Sequence, residues 1–252
     1  MKTRLLCALL ALMLCAPALA EGRSREVRIV PEESARLYSA LPLAGLKIGI
    51  DPGHQAHADT SKEPVAPGSA ETKARVASGT RGVSTGVPEY VRVLEISLLL
   101  RDELVRLGAE VLMTRETHDV NISNVERALM MNEWGADAVV RVHLNGSTNK
   151  NAHGIGMYVR ATGACAEESA RLARCLLDAL KSVTGAHIQS VYKRDTYTGL
   201  NWSEVPCVLA ELGYMTNPEE DENTARPEYQ LLLAQGVAQG ICQYFETITE
   251  NE

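Results

Sequence analysis

Aromatic residues make up only 4% of the 252 residues, with a single phenylalanine, Phe245. A core that covers a sheet must therefore be built from aliphatic side chains. Basic residues are in deficit as well: 25 Lys and Arg face 32 Asp and Glu, for a formal net charge of −7. That balance excludes broad nucleic-acid binding, which needs basic surface to neutralise phosphates. Of six cysteines, Cys7 and Cys15 fall in the first twenty residues. Cys165, Cys175, Cys207 and Cys242 are scattered, without the spacing of a metal site or a disulfide framework. They read as small hydrophobes inside helices and strands. No internal repeat, heptad run or low-complexity tract occurs. After residue 20, no apolar run is long enough to span a membrane.

What the chain does have begins with a leader. "MKTR" is basic, and the apolar run "LLCALLALMLCAPALA" closes on Ala18-Leu19-Ala20. This is the layout of a secretory signal over residues 1–20, cut after Ala20. Export to the periplasm, the cell wall or the medium is expected. A lipoprotein anchor at Cys15 is disfavoured by Leu14 before it, where a small residue is needed. Loss of Lys2 and Arg4 would take the net charge from −7 to −9. Residues 21–44 read as a linker and 45–250 as one domain. In that domain strands alternate with helices: "LKIGI", "AEVLMT", "DAVVRVHL", "GIGMYVR", "HIQSVY" and "PCVLAEL" read as strands. "VRVLEISLLLRDELVRL", "SNVERALMMNEWG", "AEESARLARCLLDALKSV" and a stretch from about Pro227 to Thr247 read as helices. The expected fold is α/β: three layers, with a twisted, mostly parallel sheet and helices on both faces. Residues 55–87 lack apolar periodicity and read as a long, mobile loop.

In such sheets, ligands bind beyond the carboxyl ends of the strands. His54 follows the first strand, and His143 and Glu211 end "DAVVRVHL" and "PCVLAEL". A right-handed crossover brings the start of the next helix to the same rim, and with it Glu89 of "GVPEY". At about 100° per residue, Glu89 continues the apolar face of Val93, Leu100, Leu104 and Leu107. Glu95 falls on the opposite, solvated side with Arg92, Asp102 and Arg106. Taken singly, each of the four rim residues has a structural explanation. Glu89 could complement the helix dipole, the histidines could be hydrogen-bonded, and Glu211 could pair with Arg115 or Arg127. Together they are two imidazoles and two carboxylates on one edge, and two imidazoles with one carboxylate are a recognised catalytic zinc set.

"IGIDPGH", the glutamate of "GVPEY", "GAEVLMTRETHD", "RVHLNGS" and "VLAELGYMTNPEE" occur in this order. In that order they resemble the zinc-dependent N-acetylmuramoyl-L-alanine amidases of bacterial cell walls. The resemblance runs from Leu46 to the C-terminal helix. It implies Zn²⁺ on His54, Glu89 and His143, with Glu211 as the catalytic glutamate. The implied reaction is hydrolysis, by a zinc-activated water, of the amide between N-acetylmuramic acid and L-alanine in peptidoglycan. Asn145 and Arg115 become candidate substrate contacts; any protein activator is left open. Two departures stand out. Gln55-Ala56 and a longer loop follow the "DPGH" histidine where the family often has Gly-Gly, which brings His57 in as a competing ligand. Arg141 stands where a serine often precedes the second histidine by two positions. Two other activities fit the same residues: a zinc peptidase cutting within the stem peptide, and a non-catalytic wall-binding or regulatory protein.

Overall fold

The structure is a computed structural model that describes residues 36–249; the expected signal and residues 21–35 of the expected linker lie outside the described residues. In chain order the strands are β1 Lys47–Pro52, β2 Asp59–Pro64, β3 Thr72–Val76, β4 Glu110–Met113, β5 Ala138–Asn145, β6 Ile155–Val159, β7 Ile188–Lys193 and β8 Cys207–Tyr214. The helices are α1 Glu89–Arg106, α2 Asn124–Trp134, α3 Ala166–Thr184, α4 Thr198–Asn201, α5 Pro218–Ala225 and α6 Pro227–Thr249. Six strands form one sheet in the order β4-β1-β5-β8-β6-β7. Neighbours run parallel except β6 against β8. The expected α/β architecture with a mostly parallel sheet is therefore present.

β5 explains the layering. It lies in mid-sheet, so both its faces are covered and its sequence is a nearly unbroken apolar run. Val140, Val142 and Leu144 enter the larger core, shared with α1, α3 and α6. Val139 enters the smaller core on the other face, with Met131 of α2, Leu200 of α4 and Leu209. α1 presents Val93, Ile96, Leu100 and Leu104 to the larger core, all fully buried and spaced three or four residues apart. Each such side chain contributes roughly 1.5–3 kcal/mol on leaving water. The aliphatic core inferred from the shortage of aromatics is the one observed; Tyr244 is its one buried aromatic among the described residues.

Sequence and structure part company in four places. Residues 55–87 contain an ordered antiparallel hairpin, β2–β3, turning at Ala66-Pro67-Gly68-Ser69. It is tied down by Asn201 and Trp202, which donate to Val65 O and Pro64 O at 3.0 Å each. Its strands are short and largely polar, so they carry no apolar alternation. α5 occupies a stretch in which the sequence shows no helical pattern: Asn217 caps it, accepting from Glu219 N and Glu220 N, and Pro218 opens it. Six of its eight residues are polar or proline before the closing Thr224-Ala225, which leaves no apolar stripe to detect. Residues 36–44, within the expected linker, dock on the domain: Leu43 is fully buried, and the Tyr38 hydroxyl donates to Gly108 O at 2.7 Å. Finally, Arg92 is buried rather than solvated, because α6 packs beside that part of α1 and Gln230 reaches Glu95.

Candidate metal centre

Three loop or strand ends and one helix start meet at the carboxyl edge of the sheet. His54 leaves β1 in the left-handed region, with φ of 59°. That conformation is unfavourable for a side chain with a Cβ, and the carbonyls around it are clamped. Arg115 donates to Pro52 O and Gly53 O at 3.0 and 2.8 Å, and Arg127 to Pro52 O and His54 O at 2.8 and 3.0 Å. His54 Nδ1 donates to Ala77 O at 2.8 Å, which leaves Nε2 as the lone-pair nitrogen and turns it inward. Gly53 has to be a glycine: a Cβ there would lie 2.3 Å from His143 Cε1.

Glu89 is the first residue of α1, with Pro88 one position earlier as the cap rather than at the first helical position. Its Oε1 lies 3.1 Å from both His54 Nε2 and His143 Nδ1. It also accepts from Leu144 N at 3.1 Å, and Oε2 accepts from Thr80 N at 2.8 Å. The two imidazole rings stand edge to face, 4.8 Å apart. One donor atom from each of His54, Glu89 and His143 falls within 4.8 Å of the other two, and this is the one group of three or more such residues among the described residues. Neighbouring donors around a tetrahedral ion with bonds of ~2.1 Å lie ~3.4 Å apart. The donor set and spacing fit a divalent metal of the zinc kind.

Glu211 stands beside this cluster on β8, directly opposite His143 in the ladder. The register then slips by one residue, so that Asn145 faces Tyr214. Glu211 Oε2 and His143 Nε2 are both enclosed without a hydrogen-bond partner among the described residues. Burial, then the charge of Glu89, holds the Glu211 carboxyl well above the usual carboxylate range. Burial works the opposite way on His143, pushing the imidazole down toward its neutral form. For His54, burial also favours the neutral form, but its contact with Glu89 outweighs this and raises its pKa. Glu89 is held low: burial opposes ionisation, and the two histidines overcome it. The four groups line a cleft of about 520 Å³, which is of ligand size.

Asn145 lies on the wall of that cleft, with Oδ1 accepting from Gly146 N at 2.8 Å. Arg115 does not. It is buried behind the His54 turn, and its guanidinium is taken up by the carbonyls of Pro52, Gly53, Tyr90 and Thr117. The expectation of a substrate contact there is replaced by a positioning one. Arg127 pairs with Asp51, so neither arginine neutralises Glu211. His57 is exposed and away from the cluster; Glu95 bonds Arg92 and Gln230 on another side of α1. Asp51, Asp221 and Glu220 are structural carboxylates whose roles no sequence motif marks. Fully buried Asp221 accepts from Ser84 N, Thr85 N and Thr85 Oγ1, all at 2.8 Å, and so fixes the turn that precedes α1. Glu220 accepts from Gly154 N and Tyr214 N at 2.8 and 2.7 Å, pinning the end of β8. A lone carboxylate in a polar helix gives no sequence signal for either role.

Residues 48–243 match the family described as N-acetylmuramoyl-L-alanine amidase. The chain belongs to that family. An N-acetylmuramoyl-L-alanine amidase of Mycobacterium tuberculosis is 33% identical over 218 residues, spanning 79% of this chain and 89% of its own length. The crystal structure of an amidase from Mycobacterium abscessus is 31% identical with a TM-score of 0.74, covering 81% of this chain and all of that one. One from Mycobacterium smegmatis is 26% identical with a TM-score of 0.75, covering 81% and 99%. The protein is thus a hydrolase of the amide between N-acetylmuramic acid and L-alanine in peptidoglycan. Family membership decides between the three readings of the sequence in favour of the first.

Proposed function

We propose that the amidase works through a zinc ion held by His54, Glu89 and His143, with Glu211 as the proton carrier. The observation that carries this reading is the juxtaposition of three donors within 4.8 Å of one another, Glu89 Oε1 lying 3.1 Å from each imidazole, with an enclosed carboxyl on the adjacent strand. Zinc, when bound, polarises the amide carbonyl and lowers the pKa of an attacking water to roughly 7. Glu211 takes up the proton at its unpaired Oε2 and passes it to the departing L-alanine nitrogen. Glu89 and the clamped His54 turn keep the reacting centre in place, and Asn145 contacts substrate on the cleft wall. Residues 1–20 serve as a cleaved export signal and residues 21–35 as the segment connecting it to the domain. Among the described residues, no helix is long and apolar enough to cross a membrane. With that signal, the protein meets peptidoglycan as an exported enzyme, in the periplasm, in the wall or outside the cell, during wall turnover or remodelling.

Three variants test the assignment. Glu89→Ala removes one of three protein ligands and is expected to lose zinc or bind it far more weakly. Glu211→Gln keeps the shape of the site and is expected to retain zinc while losing ~10²–10⁴-fold in turnover. Glu95→Ala, away from the cleft, should change neither. Zinc content by emission spectroscopy and turnover on purified wall give the readouts. Zinc loss in Glu95→Ala but not in Glu89→Ala, or full activity in Glu211→Gln, would overturn the assignment.

A further inference from the structure

Two buried arginines share one buried carboxylate, and one of the two, Arg141, lines the cleft. Asp51 Oδ1 lies 2.7 Å from Arg127 Nη1, and Oδ2 lies 3.1 Å from Arg141 Nη2; all three side chains are 6% exposed or less. The trio therefore carries a surplus positive charge out of water, where an uncompensated charge is costly. Arg127 satisfies its whole fork on Ile122 O, Pro52 O, His54 O, Gln55 and Asp51. Arg141 does not. Its Nη2 donates to Asn124 Oδ1 at 2.8 Å, Nε is enclosed without a partner, and Nη1 makes no hydrogen bond among the described residues.

Arg141 is also in the right place to meet substrate. It lies on the same wall as His143, two residues earlier on the same face of β5, and lines the cleft that holds the metal cluster. Two strand residues span ~6.6 Å, the reach of about two residues of extended peptide. Its guanidinium is packed onto Gly199, where a Cβ would meet Nη1 at 1.4 Å, so only glycine leaves room for the fork. Lys62 and Lys73 of the β2–β3 hairpin face the same cleft and add to its positive field. With Nε sealed and Nη2 held by Asn124 and Asp51, Nη1 is the donor of Arg141 left for a ligand, and a guanidinium carrying uncompensated charge is suited to take a carboxylate.

We infer that Arg141, seated on Gly199, forms a subsite for the free α-carboxylate of the second stem-peptide residue, one residue beyond the bond that is cut. The inference rests on the reading of the cleft as the amidase site. The glycan side of that bond is uncharged, so the anion must come from the peptide. The second residue is a glutamyl whose α-carboxyl is either free or amidated, and Arg141 makes the enzyme discriminate between the two.

The test uses the product tripeptide, L-alanyl-γ-D-glutamyl-L-lysine, in its free-acid and α-carboxamide forms, with binding to the zinc-loaded protein measured by calorimetry. The free acid is expected to bind on the order of 10- to 100-fold more tightly, as for a hydrogen-bonded charge. Arg141→Gln should bring that ratio close to one. Gly199→Ala, which displaces Nη1 but keeps the arginine and its partner Asp51, should lower it as well. Arg141→Lys, with charge but no fork, should fall between. Equal binding of the two forms by the wild-type protein, absence of binding by both, or an undiminished ratio in Gly199→Ala or a folded Arg141→Gln would overturn the subsite. Turnover of the corresponding muramyl peptides, measured in parallel, separates the two ideas. A retained acid preference in binding with no cleavage would sink the catalytic reading and leave the subsite standing.

Discussion

Gly53 and Asp51 decide, at the scale of single residues, whether His54 and His143 can meet. A methyl group on Gly53 would enter the His143 ring, so Gly53→Ala is expected to displace that imidazole and weaken zinc binding while the sheet still folds. Metal titration together with circular dichroism checks this; unchanged zinc affinity would contradict it. Asp51 anchors both arginines, and removing it leaves buried guanidinium charge without a partner. Asp51→Asn should destabilise the fold by roughly 3–5 kcal/mol near neutral pH. Burial raises the Asp51 pKa, but Arg141, Arg127 and Thr114 outweigh it and hold the folded value below the ordinary 3.8. The stabilisation is therefore complete above about pH 4 and is lost as pH falls toward the folded value, because the unfolded chain takes up its proton first. Thermal unfolding of the wild type and Asp51→Asn should show a gap that is constant from pH 7 to about 5 and closes below about 4. A gap that widens in acid would contradict the ion-pair account. That His54, Glu89 and His143 share one rim was legible from position, since strand ends and a helix start converge there. Arg115 was not: a strand-end arginine reads the same whether it faces a cleft or holds a turn from behind.

The β2–β3 hairpin is the element whose contribution is most open to direct test. It supplies Lys62, Thr72, Lys73 and Val76 to the cleft wall, and Lys73 Nζ donates to Thr196 O at 2.6 Å across the opening. It contributes none of the three donors to the metal cluster. Replacing residues 59–76 by a short Gly-Ser linker should therefore leave zinc content close to that of the wild type and reduce turnover of polymeric wall. Equal turnover with and without the hairpin would exclude a catalytic part for it. The hairpin escaped detection because its pairing rests on backbone bonds and anchors supplied by Asn201 and Trp202, over a hundred residues away. The Pro67-Gly68 turn was its one local signal. α5 was hidden for a related reason: it is held by its cap and by Asp221 and Glu220, rather than by an apolar face.

The whole molecule follows from its strand order. β1, β5 and β8 lie side by side with parallel carboxyl ends, and α1 crosses over with its start at the same edge. That placement turns four residues spread from position 54 to position 211 into one centre. This much was visible in the alternation of apolar strands and amphipathic helices, because burial on both faces of the sheet leaves a strong pattern. The antiparallel β6–β8 pairing and the register slip after Glu211 were not visible, since pairing partners and bulges depend on contacts between distant segments. The enzyme cuts one bond, the amide that joins the glycan to the stem peptide. The most direct test is mass spectrometry of purified peptidoglycan digested with the zinc-loaded protein. Released peptides should carry a new L-alanine amino terminus, and glycan strands should keep their full length. New reducing sugar ends, or cuts confined to the interior of the peptide, would contradict cleavage at that amide.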